Sequence, residues 1–298
     1  WSSGAFDTKR ERMIIWGGGH SDYAGNEIYV FDVPTLTWIR LTEPSAFPPD
    51  VPLNLSHAYQ HADGAPVSRH TYGNLAYLPD PVDALFVGGG EGLWSQAWGG
   101  DRNTYLFKFA TRKWEKKSEC LVTSRAFCAV DADGRVWEHR TAGDPRLGRY
   151  DPATDKWTLH ASMSSSFLGY DNTAAIHPGK NWMIAIGEGE TRAWDLANPD
   201  DSSWQMETSG DTGIETSNNP GLAYHPPTGT LVAWDGGSSI HQLDVDQGSW
   251  TKVAAKSAVS PGPATHTGTF GRFRYMPERD LFILVTGVDK NVFVYRVA

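Results

Sequence analysis

Three short segments hold most of the residues suited to acid–base chemistry. "SRHTYG" carries Arg69, His70 and Tyr72, "HSDYAGN" carries His20, Asp22, Tyr23 and Asn26, and "LGYDN" carries Tyr170, Asp171 and Asn172. One reaction needs these types together. Removing a proton beside a carboxylate requires a group that neutralises the developing dianion, a base that takes the proton, and an acid that protonates the departing oxygen. Arg69 or Arg125, with Asn172, suits the first role; His70 or His20 suits the second; Tyr72, Tyr170 or Tyr23 suits the third. Trp94 and Trp98 can stack on sugar faces, and Asp22, Tyr23, His139, Asp171, Asn218 and Asn219 can bond hydroxyls. Arg125 can pair with a carboxylate through two parallel hydrogen bonds. Every one of these residues also has a structural reading. Tyr and Asn before a strand close turns, Arg and Asp at a junction pair with each other, and a Trp packs a long loop. The cluster, more than any single member, points to a ligand site.

These segments lie far apart in the chain, so a fold must gather them. A recurring phrase supplies it: an apolar alternating strand, a turn, then Trp. It occurs around Trp38, Trp114, Trp157, Trp204 and Trp250, at successive separations of 76, 43, 47 and 46 residues. "NVFVYRVA" at the C-terminus is the same strand without the Trp. Two further phrases precede each of these. The first is a strand closing in a turn, such as "GNLAYLPD" or "GLAYHPPTG"; the second is an apolar run ending in glycines, such as "MIIWGGG" or "ALFVGGG". Period-two alternation between turn residues reads as β throughout. Four strands repeated about every 45 residues predict propeller blades, because a lone twisted sheet cannot bury both faces and packing blade on blade does so.

The glycine run, the Tyr or Phe after it and the Trp about six residues further on resemble the kelch repeat, most closely in "GGGHSDYAGNEIYVFDVPTLTW". Blade three has "WEHRTAG" in place of the glycine pair, and blade six lacks the Trp. The resemblance, which extends to the galactose oxidase central domain, implies an all-β propeller of six or seven blades, and the six repeats favour a six-bladed β-propeller forming one domain over 1–298. The blades are expected at about 1–42, 67–118, 119–161, 162–208, 209–254 and 255–298, with a Pro-rich insertion at about 43–66. The last blade is expected to have three strands. Functional residues should then sit on the loops after the glycines and between blades, where rigid sheets present them.

Composition narrows the partners. The 298 residues carry 35 Asp+Glu against 26 Lys+Arg, a formal charge of −9, with no basic run. That argues against nucleic acid or an anionic membrane as partner. No apolar stretch approaches the ~18 residues of a membrane span. Cys120 and Cys128 lie outside any CxxC and read as buried apolar residues. His20 with Asp22, and His139 with Glu138, could hold a metal ion but have no diagnostic ligand spacing, so a metal is not indicated and no other cofactor is expected. A monomer is expected, secreted or periplasmic in the bacterial manner.

The functional expectation is a polysaccharide lyase that cleaves a uronate-containing polymer by β-elimination. A non-catalytic glycan- or protein-binding module is the alternative. A glycoside hydrolase would need two carboxylates about 5–9 Å apart, and Asp22, Glu91, Asp171, Glu188 and Glu215 are available. A copper-radical oxidase resembling galactose oxidase would need a Cys–Tyr link beside two His, and Cys128 falls in mid-strand.

Overall fold

The structure, a computed structural model, describes residues 2–18, 25–46, 60–92, 102–120, 126–140, 146–162 and 172–297. The fold is a six-bladed β-propeller of antiparallel blades, the last of them three-stranded, in accord with the repeat reading. Contacts between Cα atoms divide the chain into two compact units: Trp1–Arg140 with Arg146–Leu159, and Thr141–Pro145 with His160–Ala298.

In the first unit, blade one consists of β1 (Ser3–Asp7), β2 (Arg12–Trp16), β3 (Tyr29–Asp32) and β4 (Thr37–Arg40). A two-stranded ribbon follows, β5 (Arg69–His70) paired with β8 (Glu91–Gly92). Blade two is β6 (Leu75–Leu78), β7 (Ala84–Val87), β9 (Asn103–Lys108) and β10 (Lys113–Glu119). Blade three is β11 (Ala126–Val130), β12 (Val136–Arg140), β13 (Arg146–Asp151) and β14 (Lys156–Ser162). The first strand of blade two, β6, neighbours the first strands of blades one and three, β1 and β11. Between blades one and two, Ile14, Trp16 and Val30 meet Leu75, Leu85 and Tyr105 in one buried cluster. At the turn before β7, Asp83 accepts hydrogen bonds from Arg10 and Lys9 of blade one and from Tyr77. The Arg10 guanidinium, against the opposing effect of burial, holds the Asp83 carboxyl down at about 2.

The second unit holds blade four, β15 (Asn172–His177), β16 (Trp182–Gly187), β17 (Glu190–Asp195) and β18 (Trp204–Met206). Blade five begins with a two-residue strand, β19 (Ser209–Gly210), which lies parallel and outside its fourth full strand. Its full strands are β20 (Gly221–His225), β21 (Thr230–Trp234), β22 (Ile240–Asp244) and β23 (Ser249–Val253). Gly210 is required there: its φ is +80°, and a Cβ would lie 2.2 Å from the Trp250 carbonyl. Blade six is β24 (Phe273–Met276), β25 (Leu281–Val285) and β26 (Val292–Tyr295). Among the described residues no helix is long and apolar enough to cross a membrane.

Candidate functional site

The glycines that punctuate the blades in the first unit do a specific job. Gly17 has φ +96°, and a Cβ on it would lie 2.8 Å from Thr71 Oγ1 and 2.9 Å from the Arg69 carbonyl. A Cβ on Gly90 would lie 2.8 Å from both Arg69 Cδ and the His70 carbonyl. The glycine ends of blades one and two thus admit the segment Arg69, His70, Thr71 between them. Hydrogen bonds fix it: Gly18 N–H donates to the Arg69 carbonyl at 3.0 Å, and Ser3 N–H donates to Thr71 Oγ1 at 2.8 Å. In the ribbon, His70 stands opposite Glu91 and Arg69 opposite Gly92.

The side chains of Arg69, His70 and Thr71 are all buried. Arg69 is fully buried. Its guanidinium makes long hydrogen bonds to the carbonyls of Val67 (3.4 Å) and Gly88 (3.5 Å) and lies 5.1 Å from the Tyr105 ring centroid. It ties blade two to the ribbon. His70 is also buried, both ring nitrogens included, and meets the Tyr72 ring edge-on, centroids 5.8 Å apart. Tyr72, half-buried, has φ +47°, a left-handed conformation that a bulky residue adopts only when its surroundings impose it. The turn that imposes it is closed by Asn74 N–H donating to the Thr71 carbonyl at 2.7 Å.

Glu138 and His139, expected on a loop, are interior residues of β12, where His139 pairs with Phe127 in register. His139 is buried and stacks on the Phe127 ring at 5.3 Å. The Glu138 carboxyl is fully buried and accepts from Cys120 Sγ at 3.1 Å. Burial pushes it up to about 8, against the pull of Cys120 and Asn74. The two cysteines form no disulfide with each other, and both are buried.

In the second unit, Asn172 opens β15 opposite Gly187 and is buried. Asn218 donates through Nδ2 to the His266 carbonyl at 3.0 Å, and Asn219 donates to Asn218 Oδ1 at 2.6 Å. Asn219 sits at φ +41°, and its carbonyl accepts from Thr269 N–H at 2.7 Å. Arg272, also buried, staples the same loop by donating to Gly268 O (2.5 Å), Thr269 O (3.1 Å) and Thr265 Oγ1 (3.2 Å). Burial lowers it to about 10. Glu215 is likewise structural, accepting from Thr191 Oγ1 and, at 2.9 Å, from Trp250 Nε1.

Sequence reasoning passed over His241. It is buried on β22 between two carboxylates, with Nδ1 3.4 Å from Asp211 and Nε2 3.3 Å from Asp235. Ser217 Oγ donates to Asp235 at 2.9 Å. Burial raises the Asp235 carboxyl, and hydrogen bonding from His241 and Ser217 outweighs it, leaving the group below its ordinary range. The one signal available was a polar ring between Ile240 and Gln242 at a strand position.

The structure therefore brings Arg69, His70 and Tyr72 together in the first unit, and Asn218, Asn219, His266 and Arg272 together in the second. His20, Asp22, Tyr23, Trp94, Trp98, Arg125, Tyr170 and Asp171 lie outside the described residues. Among the described residues no group of three or more His, Cys, Asp and Glu side chains is placed to hold a metal ion. No protein-family model matches this chain, and no curated protein matches it in sequence.

Proposed function

We propose that this chain is a glycan-acting propeller, a lyase that cleaves a uronate-containing polysaccharide by β-elimination, with His70 as base and Tyr72 as acid. The observation that carries the reading is the strained Tyr72 backbone, φ +47°, holding its ring edge-on to His70 at 5.8 Å. Backbone strain of this kind costs about 1–3 kcal/mol and concentrates where geometry matters for chemistry. His70 takes the proton from the carbon beside the uronate carboxylate. The electrons form the C=C bond, the C–O bond to the leaving sugar breaks, and Tyr72 protonates that oxygen. The carbonyls of Val67 and Gly88 hold the Arg69 guanidinium, so the neutralising role is assigned to Arg125.

The test is a panel of uronate-containing and neutral polysaccharides, read by ultraviolet absorbance of unsaturated ends and by reducing ends. Elimination raises both signals on uronate polymers. His70→Asn and Tyr72→Phe each lower the rate by about 10²–10⁴-fold, the range for loss of a positioned acid or base. New reducing ends without absorbance would indicate hydrolysis. Binding without either signal would indicate a non-catalytic module. Full activity in both variants would remove the assignment.

A further inference from the structure

Arg272 closes the loop that leads from blade five into blade six, at the end of a single 3-10 turn, Phe270–Arg272, before β24. Two backbone features fold this loop tightly. Phe270 sits at φ +51°, and a Cβ on Gly268, at φ +100°, would lie 2.3 Å from Asn219 Cβ. Three acceptors thereby converge on one guanidinium. Nε donates to the Thr269 carbonyl, and Nη2 donates to both Thr265 Oγ1 and the Gly268 carbonyl. All three acceptors are neutral. Nη1 has no hydrogen bond among the described residues, and it is not sealed from solvent.

No carboxylate pairs with Arg272 among the described residues, and burial alone moves its titration, down to about 10. It therefore keeps its charge at neutral pH. Buried charges are normally paired. Arg192, buried in the same unit, follows that rule and meets Glu190 at 3.3 Å. The turn holds a second unmet group. Thr269 Oγ1 is sealed from solvent with no partner among the described residues, and buried hydroxyls rarely go unpaired. An uncompensated cation and an orphaned hydroxyl in one turn call for the same thing, a small oxygen anion. Residues 265–272 hold no other permanent cation and no acid. A single positive charge matches a monoanion such as a carboxylate.

We propose that Arg272, besides closing its loop, binds the carboxylate of a sugar acid. Nη1 donates to a carboxylate oxygen, and the Thr269 hydroxyl is the second donor. Charge-assisted hydrogen bonds of this kind are short and strong. The anion site follows from the residues themselves; the choice of a sugar acid rests on the glycan reading proposed above.

The probe is D-galacturonate, titrated by calorimetry beside D-galactose, acetate and inorganic phosphate at matched ionic strength. Galacturonate should bind saturably, and galactose should not. Arg272→Lys keeps the charge and loses the planar fork, so it should weaken binding at least about tenfold. Thr269→Val removes an unpartnered hydroxyl, so it should melt no lower than the parent and bind galacturonate more weakly. Crystals of the parent soaked with galacturonate should place its carboxylate on Nη1, whether or not Arg272→Lys folds. Failure to bind, a carboxylate seated elsewhere, or parent affinity in both variants overturns the proposal. Acetate as tight as galacturonate overturns the sugar-acid assignment, and phosphate tighter than either overturns the monoanion. Two outcomes separate this inference from the lyase reading. Galacturonate bound through Arg272 by a protein that eliminates nothing removes the lyase and leaves this site. Elimination with parent-like binding in Arg272→Lys removes this site alone.

Discussion

Tyr72 and Glu138 show two ways in which single residues of the first unit depart from ordinary behaviour. Tyr72 holds a left-handed backbone beside His70. Replacing it by Phe keeps the ring and its packing, so Tyr72→Phe should leave thermal stability unchanged while removing the proposed elimination activity. Glu138 is a carboxyl raised by burial to about 8 from 4.5. Below about 4.5 it is protonated in both states and costs nothing. As pH rises from about 4.5 towards 8, the unfolded chain releases this proton before the folded one, so the folded state loses stability by up to about 1.4 kcal/mol per pH unit from this one group. Urea unfolding between these limits should show a falling midpoint that is flatter in Glu138→Gln. Parallel pH profiles for the two proteins would contradict the assignment.

Glycine and tryptophan act at the scale of the blade. A Cβ on Gly88 would lie 2.1 Å from Asn74 Nδ2 and 2.3 Å from Glu138 Oε1, both in packed surroundings. Gly88→Ala should cost about 1–3 kcal/mol by overpacking, read as a lowered melting temperature. The tryptophans divide by environment. Trp250, 2% exposed with its Nε1 on Glu215, should cost about 3–5 kcal/mol when changed to Ala. Trp38 is 44% exposed and should cost less than about 1 kcal/mol. Similar losses for both would contradict the packing described. The glycine and tryptophan cadence made these blades legible in the sequence, because period-two alternation and turn chemistry are local. The contacts that decide side-chain roles are not local. Nothing near Arg69 in sequence reveals that Gly88 and Tyr105 enclose it, or that the "VWEHR" of blade three buries Glu138 and His139 within a strand. His241 gained its two carboxylates from positions 211 and 235 in the same way.

At the scale of the whole molecule, six repeats of one sheet pattern carry a formal charge of −9. A polyuronate is repelled by that field until salt screens it, with a Debye length of about 10 Å at 0.1 M. The proposed lyase should therefore show kcat/KM on long polymers that rises with moderate salt, and a smaller effect on short oligosaccharides. A steep fall with salt would indicate capture by a cationic surface instead. The most direct test of the central claim is the fate of solvent oxygen during cleavage. Digestion of a uronate polymer in water enriched in heavy oxygen, followed by mass analysis, should give unsaturated products with no heavy oxygen at the new ends. Products that carry one heavy oxygen for each bond cleaved would show hydrolysis and contradict β-elimination.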